Sequence, residues 1–288
     1  MKSPWIESLR SVALTVPDLG AAERYYTDTW RLAVAAREGN TLYLRGSGAD
    51  HHLLALHEAS GTPQILHVTL RARSIDALAA IADATRAAGG VVETVFSPSD
   101  DAAGGHRIVI CDTDGRRFEI VHGDARRTAD DPPANDQPQR LAHAVLNTHG
   151  VDATIRFMEQ ALSFVLADRT RIMAFMNCDH DHPTIALGIS DNDALNHIAF
   201  VLPSVDAVMR GGGRMRDAGH GIEWGPGRHG PGNNAFNYFI DPFGVVIEYT
   251  AEVAQIDDDY RPRGPSEWQW PPGRVDQCCA SASRKCRT

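Results

Sequence analysis

The sequence predicts an α+β fold of four βαβββ modules paired into two barrel-like domains. Three observations carry that expectation. The chain of 288 residues is long enough for two domains with separate cores. It repeats itself at an offset near 130 residues. Each repeat opens on an alternating strand, passes a polar turn into a segment of helical period, and closes on short strands rich in Val, Ile, Phe and Tyr.

The repeats are read directly. LRSVALTVPDLGAAERYY from Leu9 parallels LAHAVLNTHGVDATIRFM from Leu141. ILHVTLRARSIDALAAIADATRAAGG from Ile65 parallels LNHIAFVLPSVDAVMRGGGRMRDAG from Leu195. CDTDGRRFEIVHG from Cys111 parallels IDPFGVVIEYTAE from Ile240. The modules therefore start near Leu9, Gln64, Arg140 and Ala194. In the fourth, Ser204 to Asp217 is predicted helical, with Ser204 as N-cap and Gly219 as the stop. Residues 1–123 and 140–256 form the two domains. The polar, proline-rich run from Gly123 to Gln139 has no hydrophobic period, and 124–139 is the linker. Residues 257–288, with Pro262, Pro265, Trp268, Trp270, Pro271 and Pro272, form an irregular tail over the body.

Composition removes several functions. Apolar residues are 43%, charged residues 23% and net charge −9, an ordinary globular balance without a basic cluster for nucleic acid. No run of about 18 apolar residues exists to span a membrane. The N-terminus, MKSPWIESLRSV, has no secretory pattern, and a cytoplasmic location is expected. Five cysteines without a CxxC pair argue against a disulfide framework or zinc knuckle. Cys111 and Cys178 are expected in half-buried strands.

Aligning the halves sets Ser11 opposite His143, His67 opposite His197, and Glu119 opposite Glu248. The second half thus holds a complete His, His, Glu set, and the first a set with its leading ligand replaced by serine. Alternation turns His197 away from Ile198 and Phe200, and Glu248 away from Ile247 and Tyr249, so all ligands face the cupped side. A carboxylate aimed into a barrel is costly unless paired or metal-bound. Two histidines and one carboxylate suit Fe(II) with open positions, and Mn(II) is accepted by the same donors. His67 and Glu119 are expected to hydrogen-bond in a filled barrel instead.

The stretch GRHGPGNNAFNYFIDPFGVVIE resembles the pattern of the type I extradiol ring-cleavage dioxygenases, of the vicinal oxygen chelate (glyoxalase/bleomycin resistance) superfamily. The matching residues are His229, Tyr238, Asp241-Pro242-Phe243-Gly244 and Glu248. Asn237 departs from the aliphatic residue usual before the tyrosine. The resemblance implies the vicinal oxygen chelate fold, an aromatic diol and O2 as substrates, and a homo-oligomer. It gives Tyr238 the task of orienting substrate and His229 a place beside it. The family's acid–base histidine falls on Pro183 within CDHDHPTIALG, one residue after His182, which takes the role here ahead of His180. Phe175, Asn177, Ile189, Phe200 and Phe236 are expected in the pocket wall. Two other readings stay open: a glyoxalase-like isomerase or epimerase, and a non-catalytic aromatic-ligand binder.

Overall fold

The computed structural model describes residues 2–130, 132, 136–270 and 276–279. Its strands form two mixed sheets. The first runs, in spatial order, β2 (Ala33–Glu38), β3 (Thr41–Arg45), β4 (Leu54–Glu58), β1 (Ile6–Val16), β5 (Ile65–Ala72), β8 (Arg117–His122), β7 (His106–Cys111) and β6 (Val91–Pro98). The second runs β10 (Val165–Arg169), β11 (Met173–Asn177), β12 (Ile185–Ile189), β9 (Arg140–Thr148), β13 (Leu195–Val201), β16 (Val246–Ala251), β15 (Ala235–Ile240), β14 (Trp224–Arg228) and β17 (Cys278–Cys279). In both, the opening strands of two modules lie antiparallel at the centre, and each has its own module's last strand parallel beside it. This is the α+β, two-domain arrangement the repeats predict.

The helices cover the outer faces. In α2 (Ile75–Ala87) Ser74 caps Ala77, and Leu78 and Ile81 are buried. In α4 (Val205–Asp217) Ser204 caps Ala207 and Gly219 adopts φ +88°, as the sequence predicts. The glycine run in α4 has a packing reason. A Cβ on Gly211 would lie 2.9 Å from the Tyr249 ring, and one on Gly212 would lie 2.6 Å from Asn237 Nδ2. The helix backbone therefore approaches the sheet closely, and the unusual Asn237 is housed beneath it rather than in the cup.

One continuous apolar core runs through both halves, where separate cores were expected, because aromatic residues of the first half pack into the second. The short helix α1 (Leu19–Arg24) continues into a π-helical turn, Tyr25–Thr29, which delivers Trp30 onto Tyr249 of the second sheet. The Asp241-Pro242-Phe243-Gly244 turn belongs to the same joint. Asp241 Oδ1 accepts from the Phe243 and Val245 amides at 2.9 and 2.8 Å, and Oδ2 accepts from Tyr26 at 2.8 Å. Between the sheets lies a cleft of about 660 Å³ lined in part by His67, Arg117, Asn196 and Phe243, with none of His143, His197 and Glu248 in its wall.

The first cup is filled by ions. Arg10 is fully buried, donates to Ser11 Oγ at 2.9 Å, contacts His52 and pairs with Asp101 at 3.1 Å. Arg71 clamps Asp124 through bonds of 2.9 and 2.7 Å. Glu119 does not meet His67, contrary to the sequence expectation. It accepts from Arg107 Nη1 at 2.8 Å, because a guanidinium satisfies a buried carboxylate better than a neutral imidazole does. Burial raises the Glu119 carboxyl and Arg107 opposes the rise. Burial, aided by Arg117, lowers His67 to about 3.

The linker is pinned where it is described. Arg126 makes a two-pronged pair with Glu7 at 2.6 and 2.7 Å, and Arg127 donates to Gly48 O at 2.9 Å. Linker residues 131 and 133–135 lie outside the described residues. The tail is not wholly irregular: β17 pairs antiparallel with β14, whose outer edge would otherwise be bare. Residues 271–275 and 280–288, with Pro271, Pro272 and Cys286, lie outside the described residues. Cys111 and Cys178 are free and buried, the first on β7 and the second just beyond β11. No helix among the described residues is long and apolar enough to cross a membrane.

Candidate metal centre

Three adjacent strands bring His143, His197 and Glu248 together. Ala199 on β13 is level with His143 on β9 and with Glu248 on β16, so those two share its face. His197, two residues before Ala199, shares it as well. Ser11, Thr69 and Glu119 stand in the corresponding register in the first sheet, so the repeat alignment holds in three dimensions.

The side chains converge. His143 Nε2 and His197 Nε2 each lie 3.3 Å from Glu248 Oε2. One ligand atom from each of the three lies within 4.8 Å of the others, and all three residues are buried. Donors in neighbouring octahedral positions on one ion, at about 2.1 Å each, stand about 3 Å apart. The donor set therefore fits a divalent cation. Burial alone would raise the Glu248 carboxyl, but hydrogen bonds from His143, His197 and His229 hold it well below the usual range.

Second contacts aim these groups. His197 Nδ1 lies 2.8 Å from Asn196 Oδ1, which favours a proton on Nδ1 and leaves Nε2 as the donor toward the centre. Asn234 donates to Glu248 Oε1 at 3.3 Å and to Thr250 Oγ1 at 2.6 Å, so Oε2 alone faces both imidazoles. Sequence reasoning missed Asn234. Counting back from Tyr238 in steps of two reaches Phe236 and then Asn234, which was the available signal. Asn234→Ala is expected to lower metal affinity about 10–100-fold with the fold intact, read by metal titration and circular dichroism.

Tyr238 and His229 stand beside the ligands. Tyr238 is level with Glu248 across β15 and β16, and its hydroxyl lies 3.4 Å from His197 Nε2 and 3.0 Å from His229 Nε2. Burial, then the charge of Glu248, raises the Tyr238 phenol well above its ordinary value. His229 stacks on Phe236 at 4.0 Å, and its Nε2 lies 3.7 Å from Glu248 Oε1.

His182 is buried near this group without touching the ligands. Its ring lies 5.6 Å from Phe175, which packs with Val145, and Val145 is level with His197. A Cβ on Gly232 (φ +76°) would lie 2.6 Å from His182 O, so the loop bearing His229 and Asn234 rests against the His182 backbone. His182 Nε2 meets Asp168 Oδ2 at 2.7 Å, and no hydrogen bond joins His182 to His143, His197, Glu248 or Tyr238 among the described residues. His180 Nδ1 donates to Ile256 O at 2.8 Å and anchors the tail instead. Two expected wall residues lie elsewhere: Phe200 is fully buried on the helix face against Trp30, and Ile189 is exposed. Phe200 follows Ala199, and alternation turns it away from the cup.

Residues 8–120 and 140–249 match the family model described as Glyoxalase/Bleomycin resistance protein/Dioxygenase superfamily. The chain belongs to this superfamily. Among its members, metapyrocatechase 2 of Cupriavidus necator is 28% identical over 93% of this chain and 85% of its own length. The manganese-dependent 2,3-dihydroxybiphenyl 1,2-dioxygenase of Geobacillus genomosp. 3 is 24% identical over 90% and 88%. Among solved superfamily structures, the Mn(II)-bound glyoxalase from Novosphingobium aromaticivorans superposes with a TM-score of 0.90 at 30% identity, over 98% of this chain and 94% of that one.

Proposed function

We propose that this chain is an extradiol dioxygenase that cleaves a catechol-type ring with O2, and that Fe(II) is its metal. The observation that carries the proposal is the buried set of His143, His197 and Glu248 with Tyr238 and His229 hydrogen-bonded beside it. The named activities of the Cupriavidus and Geobacillus relatives support the substrate class, and the second of them supports Mn(II) as an acceptable replacement. We read residues 1–123 as a domain without an intact metal site, 140–256 as the catalytic domain, 124–139 as the linker and 257–288 as the tail. A homo-oligomeric assembly and a cytoplasmic location belong to the same proposal.

His143, His197 and Glu248 would hold the metal, which when bound would supply chelation of two adjacent hydroxyls and electron exchange with O2. The residues around it do the rest. Tyr238 donates its hydroxyl hydrogen bond to a ring oxygen and fixes the ring's orientation. His229, stacked on Phe236 and hydrogen-bonded to the Tyr238 hydroxyl, contacts the substrate near the metal. His182 takes a proton from the substrate and returns it to the product, a task typically contributing about 10²–10⁴ in rate.

A second reading has one specific support, the 30% identity to the Novosphingobium glyoxalase. One experiment separates the two. Protein loaded anaerobically with Fe(II), or with Mn(II), is mixed with a panel of catechols and then with air. Stoichiometric O2 uptake with a yellow ring-opened product supports the dioxygenase. Tight metal binding with no O2 uptake on any diol sinks it and favours a metal-dependent conversion that consumes no oxygen.

A further inference from the structure

Asp168 is a buried, multiply bonded carboxylate outside the metal centre to which the proposed function gives no task. It sits on β10, at the edge of the second sheet, where a polar side chain is expected to face water. Instead it is 1% exposed. Three donors converge on it. Oδ2 lies 2.7 Å from His182 Nε2 and 2.6 Å from the Tyr260 hydroxyl, and Oδ1 lies 2.7 Å from the Arg263 amide nitrogen. The Arg263 guanidinium adds a pair at 4.0 Å. An acceptor with two donors on one oxygen requires hydrogen on both, so the His182 nitrogen facing Asp168 carries the proton. The other ring nitrogen, Nδ1, is buried and has no hydrogen-bond partner among the described residues. A buried polar nitrogen without a partner is costly, and such groups mark places where a ligand completes the bonding.

We infer that Asp168 is the positioning residue of His182. It fixes the ring as the Nε2–H tautomer, presents a bare Nδ1 to the substrate side, and balances the positive charge when Nδ1 takes a proton. The inference rests on the proposed acid–base role of His182. The proton moves from a substrate hydroxyl to Nδ1, making an imidazolium ion, and leaves Nδ1 for the product. Asp168 itself stays unprotonated, as a carboxylate behind a catalytic imidazole does. The groups facing the ring are Asp168 on β10, Tyr260 on the tail and Phe175 on β11, with the Arg263 guanidinium behind Asp168 at 4.0 Å. Its own loop adds Asp179 and Asp181, the latter paired with Arg140 and Gln255. Tyr260 and Arg263 also tie the tail to the same carboxylate, so the order of residues 257–263 and the aim of His182 have one anchor.

Asp168→Asn is a sharp test because it is nearly isosteric. Its Oδ1 still accepts from the Arg263 amide and keeps the tail in place, while an NH2 replaces the oxygen that faced His182 and Tyr260. Imidazole ¹⁵N shifts are measured first, in wild type and variant, and need no turnover. The expected result is Nε2–H in wild type and a large Nδ1–H fraction in the variant. Nδ1–H in wild type, or no change in the variant, overturns the inference. Turnover of a catechol is then followed in wild type, Asp168→Asn, His182→Ala and the double variant. His182→Ala should lower kcat by about 10²–10⁴. Asp168→Asn should lower kcat with little change in KM or metal content, and should add nothing to His182→Ala. An equal loss from Asp168→Asn in both backgrounds shows that it acts without His182 and overturns the inference. Absent turnover in wild type is instead a failure of the dioxygenase reading, and the ¹⁵N result then decides the positioning claim alone.

Discussion

Protein carrying His143→Ala will purify folded, bind no metal above the level of the buffer, and release no yellow product from any catechol that wild type cleaves. The chain contains its own precedent for the loss. Where Ser11 replaces this ligand in the first half, the matching carboxylate, Glu119, is taken by Arg107 and the cup is closed by Arg10, Asp101 and Asp124. Among the described residues no arginine or lysine pairs with Glu248, whose ionic partners are all histidines. In the variant Glu248 keeps His197, His229 and Asn234 as donors, so the carboxylate stays satisfied and the sheet stays closed. The loss is therefore one of function with the fold retained. Metal content by mass spectrometry of the native protein, circular dichroism and O2 uptake check the three parts separately. Retention of one tightly held ion per chain would show that the centre lies elsewhere.

The convergence of His143, His197 and Glu248 was legible in the sequence because duplication supplied an internal ruler. Offsets near 130 residues paired each ligand with a counterpart, and strand alternation gave the face. The helix of the fourth module was equally plain, since Ser204 and Gly219 bracket it with local cap chemistry. What escaped depends on contacts between distant residues. Arg107 reaches Glu119 across neighbouring strands, and no local pattern distinguishes it from a surface arginine. Asp168 lies fourteen residues before His182 on the far side of a hairpin, and Tyr260 and Arg263 come from the tail, so their meeting has no sequence signal. Phe200 lies off the expected pocket wall for a simpler reason: it directly follows Ala199, and strand parity turns its side chain to the helix side.

Trp30→Ala is expected to produce the largest stability loss. Trp30 belongs to the first module but stacks on Tyr249 of the fourth, with ring centroids 3.6 Å apart and planes 8° from parallel. Phe200 and Phe239 meet it edge-on at 5.5 and 5.9 Å, and its carbonyl accepts from the Tyr249 hydroxyl at 2.8 Å. Removing a fully buried tryptophan side chain costs about 3–5 kcal/mol, a combined loss of burial and an unfilled cavity. The indole N–H has no hydrogen-bond partner among the described residues, so Trp30→Phe, which deletes that unsatisfied donor, should cost less than the alanine variant. The effect should also reach the metal. Tyr249 follows Glu248 on β16 and holds the opposite face of the strand, so a cavity under Tyr249 loosens the carboxylate above it. Metal affinity in Trp30→Ala should therefore fall although no ligand is touched. Because the ion binds only the folded form, excess metal should restore part of the lost Tm, by an amount that follows its concentration. Thermal unfolding across a metal titration measures both quantities at once. A large loss of Tm with unchanged metal affinity would mean that the joint between the halves holds the fold together without bearing on the site.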